Sequence, residues 1–256
     1  MLTEKEIYIA SRHSVANIIA KSGKQRFGSG TGFIVNGHLV SCAHVVKVPS
    51  GLDVEVRFEY PDTSATQSWT YSTNLPFKGF SDENSHDFAI LGVPSFVKLG
   101  PSLEFSEQLP VPGDKVCSLG YPFEDPNLTI HQGIVSAVYR SGPATILKLD
   151  MSVNPSNSGG PLISMADGKV VGIVARKATG LTKAFDSLIQ SFNKNMKVLE
   201  AASGSVTLSG IDPLQVLAIT QQQMQSVSEE IKRSANVGIG YAIWVDPLRH
   251  EAAFNV

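Results

Sequence analysis

Between Arg26 and about Lys177 the chain alternates short apolar runs with clusters of Gly, Pro, Asn and Asp. The runs include "GFIVNGHLVS", "VEVRFEY", "DFAILGV", "DKVCSLGYP", "GIVSAVYR", "ATILKLDMSV" and "KVVGIVARK". Apolar runs of this length, bounded by turn formers, read as strands of an all-β barrel or sandwich. This texture limits the fold more than any other feature, and the rest of the chain is read around it.

The flanks have a different period. Residues 3–22 read as a short amphipathic helix, with Ile7, Val15, Ile18 and Ile19 roughly on one face and Gly23 stopping it. After Lys177, "LTKAFDSLIQSFNKNMKVLE" places Leu181, Ala184, Phe185, Leu188, Ile189, Phe192, Met196 and Leu199 at helical spacing. "ASGSVTLSG" breaks that helix. Asp212-Pro213 then supplies an N-cap followed by Pro at the first helical position. A second helix follows with an apolar stripe of Leu214, Leu217, Met224, Val227 and Ile231, before "GIGYAIWV" returns to a strand. A helical hairpin over 178–235 therefore interrupts a β chain.

Composition excludes several partners. With 256 residues, 42% of them hydrophobic, and a net charge of -2, the chain carries no nucleic-acid footprint. Its longest apolar runs are strand-sized, so no membrane span is expected. The opening "MLTEKEIYIASRHSVANIIAKSGK" is too charged and too broken for a signal peptide. The two cysteines, Cys42 and Cys117, fit a reducing compartment. Together these predict a cytoplasmic location.

The stretch "NPSNSGGPL" sets Ser158 before two glycines, the residue that loses most conformational entropy on folding. A tight turn between strands is one reading. A nucleophile whose neighbouring N–H groups face a substrate is the other. A nucleophilic Ser needs a base, and the base needs a third group to fix its tautomer. "SCAHVV" offers His44 at the end of a strand, and "HDFAILGV" offers Asp87 at the start of one. Singly, His44 reads equally as a core histidine, and an Asp before a strand is more often a turn residue.

In the order His44, Asp87, Ser158, with "GSGTGFIVNGHLVSCAHVV", "HDFAILGV", "GDKVCSLGYPF", "GIVSAVYR", "LDMSVNPSNSGGPLIS", "KVVGIVAR" and "VGIGYAI" in succession, the chain resembles the trypsin-like serine proteases, most closely their HtrA/Deg branch. The resemblance spans residues 26–177 and 236–246. It implies two six-stranded antiparallel β-barrels with a site in the cleft between them. The expected plan is an N-terminal helix (1–25), a first barrel (26–105), a second barrel (106–177 and 236–248), the hairpin insertion (178–235) and a tail (249–256). It implies Ser158 as nucleophile, His44 as general base, Asp87 as its orienting partner, and an oxyanion hole from the backbone at Ser156, Asn157 and Ser158. The activity implied is hydrolysis of protein or peptide substrates without a cofactor. One position departs from the family: Ser156 stands where a Gly usually accepts positive φ, uncommon for any other residue. That substitution predicts a site that is latent until substrate or an activator arrives.

By the same resemblance the substrate pocket involves Ser152, Ala175, Arg176, Lys177, Ile239 and Tyr241. Ser152 is no carboxylate, and Ile239 would partly fill the floor, so a small apolar pocket is expected. Arg176 and Lys177 at its entrance would favour acidic residues further along the substrate. No peptide-binding module of the kind usual in this branch is expected after the last strand, and residues 181–235 are the candidate surface for a regulatory partner. The histidines and cysteines show no H-x-x-x-H or C-x-x-C spacing, so no metal is expected. "GSGTG" lacks the Lys-Ser/Thr and the helix of a phosphate loop and reads as a turn region entering the first barrel. The rival from another class is a catalytically silent, protease-like binding module.

Overall fold

The computed structural model describes residues 1–59, 65–72, 75–175, 180–202, 204, 212–234 and 238–254. These form two compact units: 1–176 with 238–256, and 177–237.

In the larger unit, a short helix α1 (Glu4–Ser11) opens with a capping box in which Thr3 and Glu6 satisfy each other's backbone N–H. The amphipathic helix expected over 3–22 stops there. Residues Val15–Ser22 are a strand, β1, and its first six residues are all buried. The reason is that β1 lies between β2 (Gln25–Val35) and β4 (Asp53–Glu59), with apolar material on both faces of the sheet. Val15 joins one core and Ala16 and Ile18 another. A β-branched run buried on both sides loses its two-residue alternation and imitates a helical face.

Seven strands build the first sheet, ordered β5-β4-β1-β2-β3-β7-β6, with β3 (His38–Ser41), β5 (Thr66–Tyr71), β6 (Phe77–Ser81) and β7 (Phe88–Gly92) completing it. The second half is a closed six-stranded barrel of β8 (Lys115–Gly120), β9 (Thr129–Ser141), β10 (Ala144–Asp150), β11 (Pro161–Ser164), β12 (Val170–Val174) and β13 (Ile239–Trp244). The two-part β plan and the six-stranded second barrel are as expected; the first half is a seven-stranded sheet in place of the other expected six-stranded barrel, having gained a strand from the segment read as helix. "GSGTG" is not a turn but the middle of β2.

Each half has its own core. Ile18, Ile34, Leu39, Val56 and Phe58 fill the first, and Val116, Leu147, Leu149, Leu162 and Val171 fill the barrel. A third cluster, including Phe33, Val40, Phe88, Leu119, Ile146 and Ile173, takes side chains from both halves. The halves are therefore welded through shared apolar burial, and loops at the seam are held against two cores at once.

The smaller unit pairs helices α3 (Gly180–Ala202) and α4 (Pro213–Ser234). The expected cap is present: Asp212 accepts from the Leu214 N–H at 2.8 Å. On α3 the expected Phe185, Ile189, Phe192, Met196 and Leu199 are half-buried, as are Asp186 and Ala202, while Leu188 is exposed; the Leu181 and Ala184 side chains lie outside those described. On α4 the expected stripe points outward: Leu217, Met224, Val227 and Ile231 are all exposed. The less exposed side carries Leu214, Ala218, Gln221, Gln225 and Ser228.

Candidate active site

Strand pairing brings the first two residues together. Ser41 of β3 stands opposite Ala89 of β7, so the end of one strand adjoins the start of the other. His44 follows on the one-turn helix α2 (Ala43–Val46), and Asp87 immediately precedes β7. Asp87 has φ of +46°, a conformation that Asp tolerates better than most residues. Its own N–H is held by the Asp82 carbonyl at 2.9 Å.

The Asp87 carboxylate is buried and engages His44 twice. Oδ1 accepts from the His44 backbone N–H at 3.1 Å, and Oδ2 lies 2.7 Å from His44 Nδ1. An ionised carboxylate only accepts, so Nδ1 is the donor and Nε2 keeps a free lone pair. The His44 side chain is 30% exposed, against 8% for Asp87, so the imidazole faces solvent while its partner does not.

Ser158 comes from the other half. The Ser158 carbonyl accepts from the Thr31 N–H of β2 at 2.8 Å, and the Gly159 N–H donates to Val174 of β12 at 2.7 Å. The double glycine now has a physical cause. Gly159 has φ of +88°, and a Cβ there would lie 2.1 Å from the Thr31 carbonyl and 2.2 Å from Ser41 Oγ. Gly30 does the same from β2, where a Cβ would lie 2.4 Å from Val45. The turn and the strand approach too closely for side chains.

Asn154 to Asn157 have the marks of a type II turn: Pro155 at the second position, Ser156 at φ of +74°, and the Asn157 N–H on the Asn154 carbonyl at 3.1 Å. Ser156 therefore occupies the strained conformation expected of it. What the sequence did not reveal is how it is held. Ser29 Oγ donates to Ser156 Oγ at 2.6 Å, and Thr31 Oγ1 donates to the Ser156 carbonyl at 2.8 Å. Both donors sit in the "GSGTG" stretch, whose Gly/hydroxyl alternation was the available signal. Among the described residues, the N–H groups of Ser156 and Ser158 have no hydrogen-bond partner, whereas that of Asn157 is engaged. The buried Asn157 side chain has no partner at either polar atom.

His44, Ser156 and Ser158 line one cleft of about 690 Å³, together with Phe27, Ser29, Val45, Lys47, Glu124 and Pro155. No hydrogen bond joins Ser158 to His44 among the described residues, a separation common before substrate binds. Of the expected pocket residues, Ser152, Ala175, Ile239 and Tyr241 do not line this cleft. Ala175 is buried, its N–H on the Tyr241 carbonyl at 2.9 Å. Ile239 does not fill a pocket floor: it is exposed at the start of β13. Val153 packs against the next residue of that strand: a Cβ on Gly240 would lie 2.4 Å from its Cγ2. Arg176 and Lys177 lie outside the described residues.

Cys42 and Cys117 are both free and buried. Burial raises the Cys42 thiol well above its ordinary range, with the Asp87 charge adding to it, so it is a neutral group in the core.

The family model of the trypsin-like peptidase domain matches residues 30–173. Serine protease HTRA1 of Xenopus laevis is 28% identical over 216 residues, 80% of this chain and 44% of that one. Serine protease Do-like HtrA of Bacillus subtilis is 33% identical over 168 residues, 59% of this chain and 34% of that one. The chain thus spans less than half the length of the curated relatives it matches. Among solved structures, the HtrA-type protease AlgW with tripeptide superposes with a TM-score of 0.59 at 20% identity, covering 96% of this chain and 60% of that one. The chain belongs to the trypsin-like peptidase family, on its HtrA branch.

Proposed function

We propose that this chain is a serine endopeptidase that cleaves protein or peptide substrates through Ser158, His44 and Asp87. The observation that carries the reading is the double hold of Asp87 on His44 at the rim of a cleft that Ser158 lines. Ser158 Oγ attacks the scissile carbonyl and gives its proton to His44 Nε2. Asp87 stabilises the imidazolium, and the N–H groups of Ser156 and Ser158 receive the oxyanion. His44 then protonates the leaving amine. A water, deprotonated by the same nitrogen, releases the acyl group and restores Ser158. Each oxyanion donor is worth about 2.7–4 kcal/mol in such a site.

A small apolar side chain, such as Val, Ala, Ile or Leu, is the proposed preference. By the family resemblance Ser152 stands where a carboxylate would select basic residues, and Phe27, Val45 and Pro155 give the cleft an apolar lining. The relatives are proteases by name, and AlgW was solved with a tripeptide. A cytoplasmic site of action belongs to the same proposal, supported by two free thiols.

Regulation through residues 181–235 is also proposed. Its support is connectivity: the insertion leaves after β12 and returns into β13, the strands joined by the Ala175–Tyr241 bond. Replacing 181–235 with a short flexible linker should change turnover; unchanged turnover and oligomeric state would remove this part. The strained Ser156 turn favours the alternative, a catalytically silent binding module. An unfolded protein substrate separates them: fragments from the unmodified chain and none from Ser158→Ala support the protease, and no fragments from either support the binding module.

A further inference from the structure

Cys42, His44 and Asp87 each present a ligand atom, and the sulfur, nitrogen and oxygen all lie within 4.8 Å of one another. Sequence spacing hides this group because Asp87 is 43 residues from His44 in the chain. The fold assembles it by the same β3–β7 pairing that builds the His–Asp hydrogen bond. Cys42 lies behind that bond, fully buried, with Sγ 3.4 Å from the Val174 carbonyl.

The surroundings suit a cation. Asp87 Oδ1 accepts from the His44 N–H and Oδ2 from His44 Nδ1, so a bound ion takes the place of the Nδ1–Oδ2 hydrogen bond while the Oδ1 bond still anchors the carboxylate. Beside His44 a separate cavity of about 470 Å³ is lined by Ala43, Lys47, Asp82, Glu83 and Asn84. Asp82 and Glu83 bring two carboxylates, and Lys47 one ammonium, to the cavity beside the His44 ring, which Cys42 and Asp87 do not line. One thiolate, one imidazole and one carboxylate is a donor set for Zn²⁺ and not for Ca²⁺ or Mg²⁺, which take oxygen ligands.

We propose that Cys42 Sγ, His44 Nδ1 and Asp87 Oδ2 form an inhibitory site for a borderline-soft divalent cation, represented by Zn²⁺. Binding forms three bonds to the metal. The Cys42 S–H proton leaves to solvent. The proton on His44 Nδ1 moves to Nε2, so the imidazole stays neutral. Nε2 then has no lone pair with which to take the Ser158 proton, and the base is disabled. The inhibitory consequence rests on the proposed protease reading; the metal site does not.

The test separates the two. Full-length Ser158→Ala protein is titrated with Co²⁺ and followed by absorbance. The expected result is one Co²⁺ per chain with a near-ultraviolet thiolate-to-cobalt charge-transfer band that Zn²⁺ abolishes. Adding Cys42→Ala should remove the band and weaken binding about tenfold or more, and His44→Ala should weaken it similarly, each in protein whose circular dichroism is unchanged. Cys117→Ser should leave the band in place. No band, or a band that survives Cys42→Ala, overturns the site. In the unmodified chain Zn²⁺ should suppress hydrolysis, and Cys42→Ala should raise the concentration needed by the same factor. Hydrolysis that continues with the site saturated overturns the inhibitory role. If no hydrolysis is seen without metal, the protease reading fails and the cobalt titration still decides the site.

Discussion

Among the described residues five non-glycines have positive φ, and two of them carry the proposed chemistry: Asp87 at φ of +46° and Ser156 at φ of +74°. Holding a non-glycine residue in the left-handed region costs about 1–2 kcal/mol, and here neighbouring hydrogen bonds offset it. Asp87→Asn tolerates the backbone but presents an amide where the imidazole needs an acceptor-only partner. Turnover should fall by roughly 10⁴-fold, with melting temperature little changed; equal turnover would show that Asp87 does not set the tautomer. Gly159→Ala adds a Cβ 2.1 Å from the Thr31 carbonyl, and should destabilise by about 3 kcal/mol or more, read by denaturant unfolding. At this scale the sequence was informative. The His–Asp–Ser order and the double glycine pointed to residues that the fold places on one cleft. Ser29 and Thr31 were missed because their roles exist only once β2 lies against the turn.

Elements were legible where their pattern had one cause and misleading where it had two. The barrel strands, short and bounded by turn formers, match the reading. β1 did not, because burial on both faces erased its alternation. The account makes Ile18, 1% exposed, a full core residue, so Ile18→Ala should cost about 2–5 kcal/mol in urea unfolding. In α4 the apolar stripe was read correctly as a face but lies outward. Met224→Gln should therefore shift stability by no more than about 0.5 kcal/mol, and a larger loss would mean that the stripe is buried in solution.

For the whole molecule, the two-part β architecture was legible from turn spacing and motif order, while the extra strand and the outward face of α4 depended on contacts that no local pattern encodes. Burial also gives the fold a pH limit. The Cys117 thiol is pushed up from 9.0 to about 12, and Tyr71 is raised too, each by desolvation. A raised folded-state pKa means that the unfolded chain ionises first. The associated stability is full below about pH 9 and is lost as pH rises toward 12. Cys117→Ala should flatten that decline in chemical denaturation across this range; an unchanged slope would assign it to the tyrosines and other groups.

The most direct test of the central claim is the intact mass of the protein after reaction with a fluorophosphonate. Such a probe bonds only to a serine whose base and oxyanion donors are in place. The account predicts one adduct per chain, absent from Ser158→Ala and strongly reduced in His44→Ala. An unlabelled chain, or an adduct that survives Ser158→Ala, would contradict it.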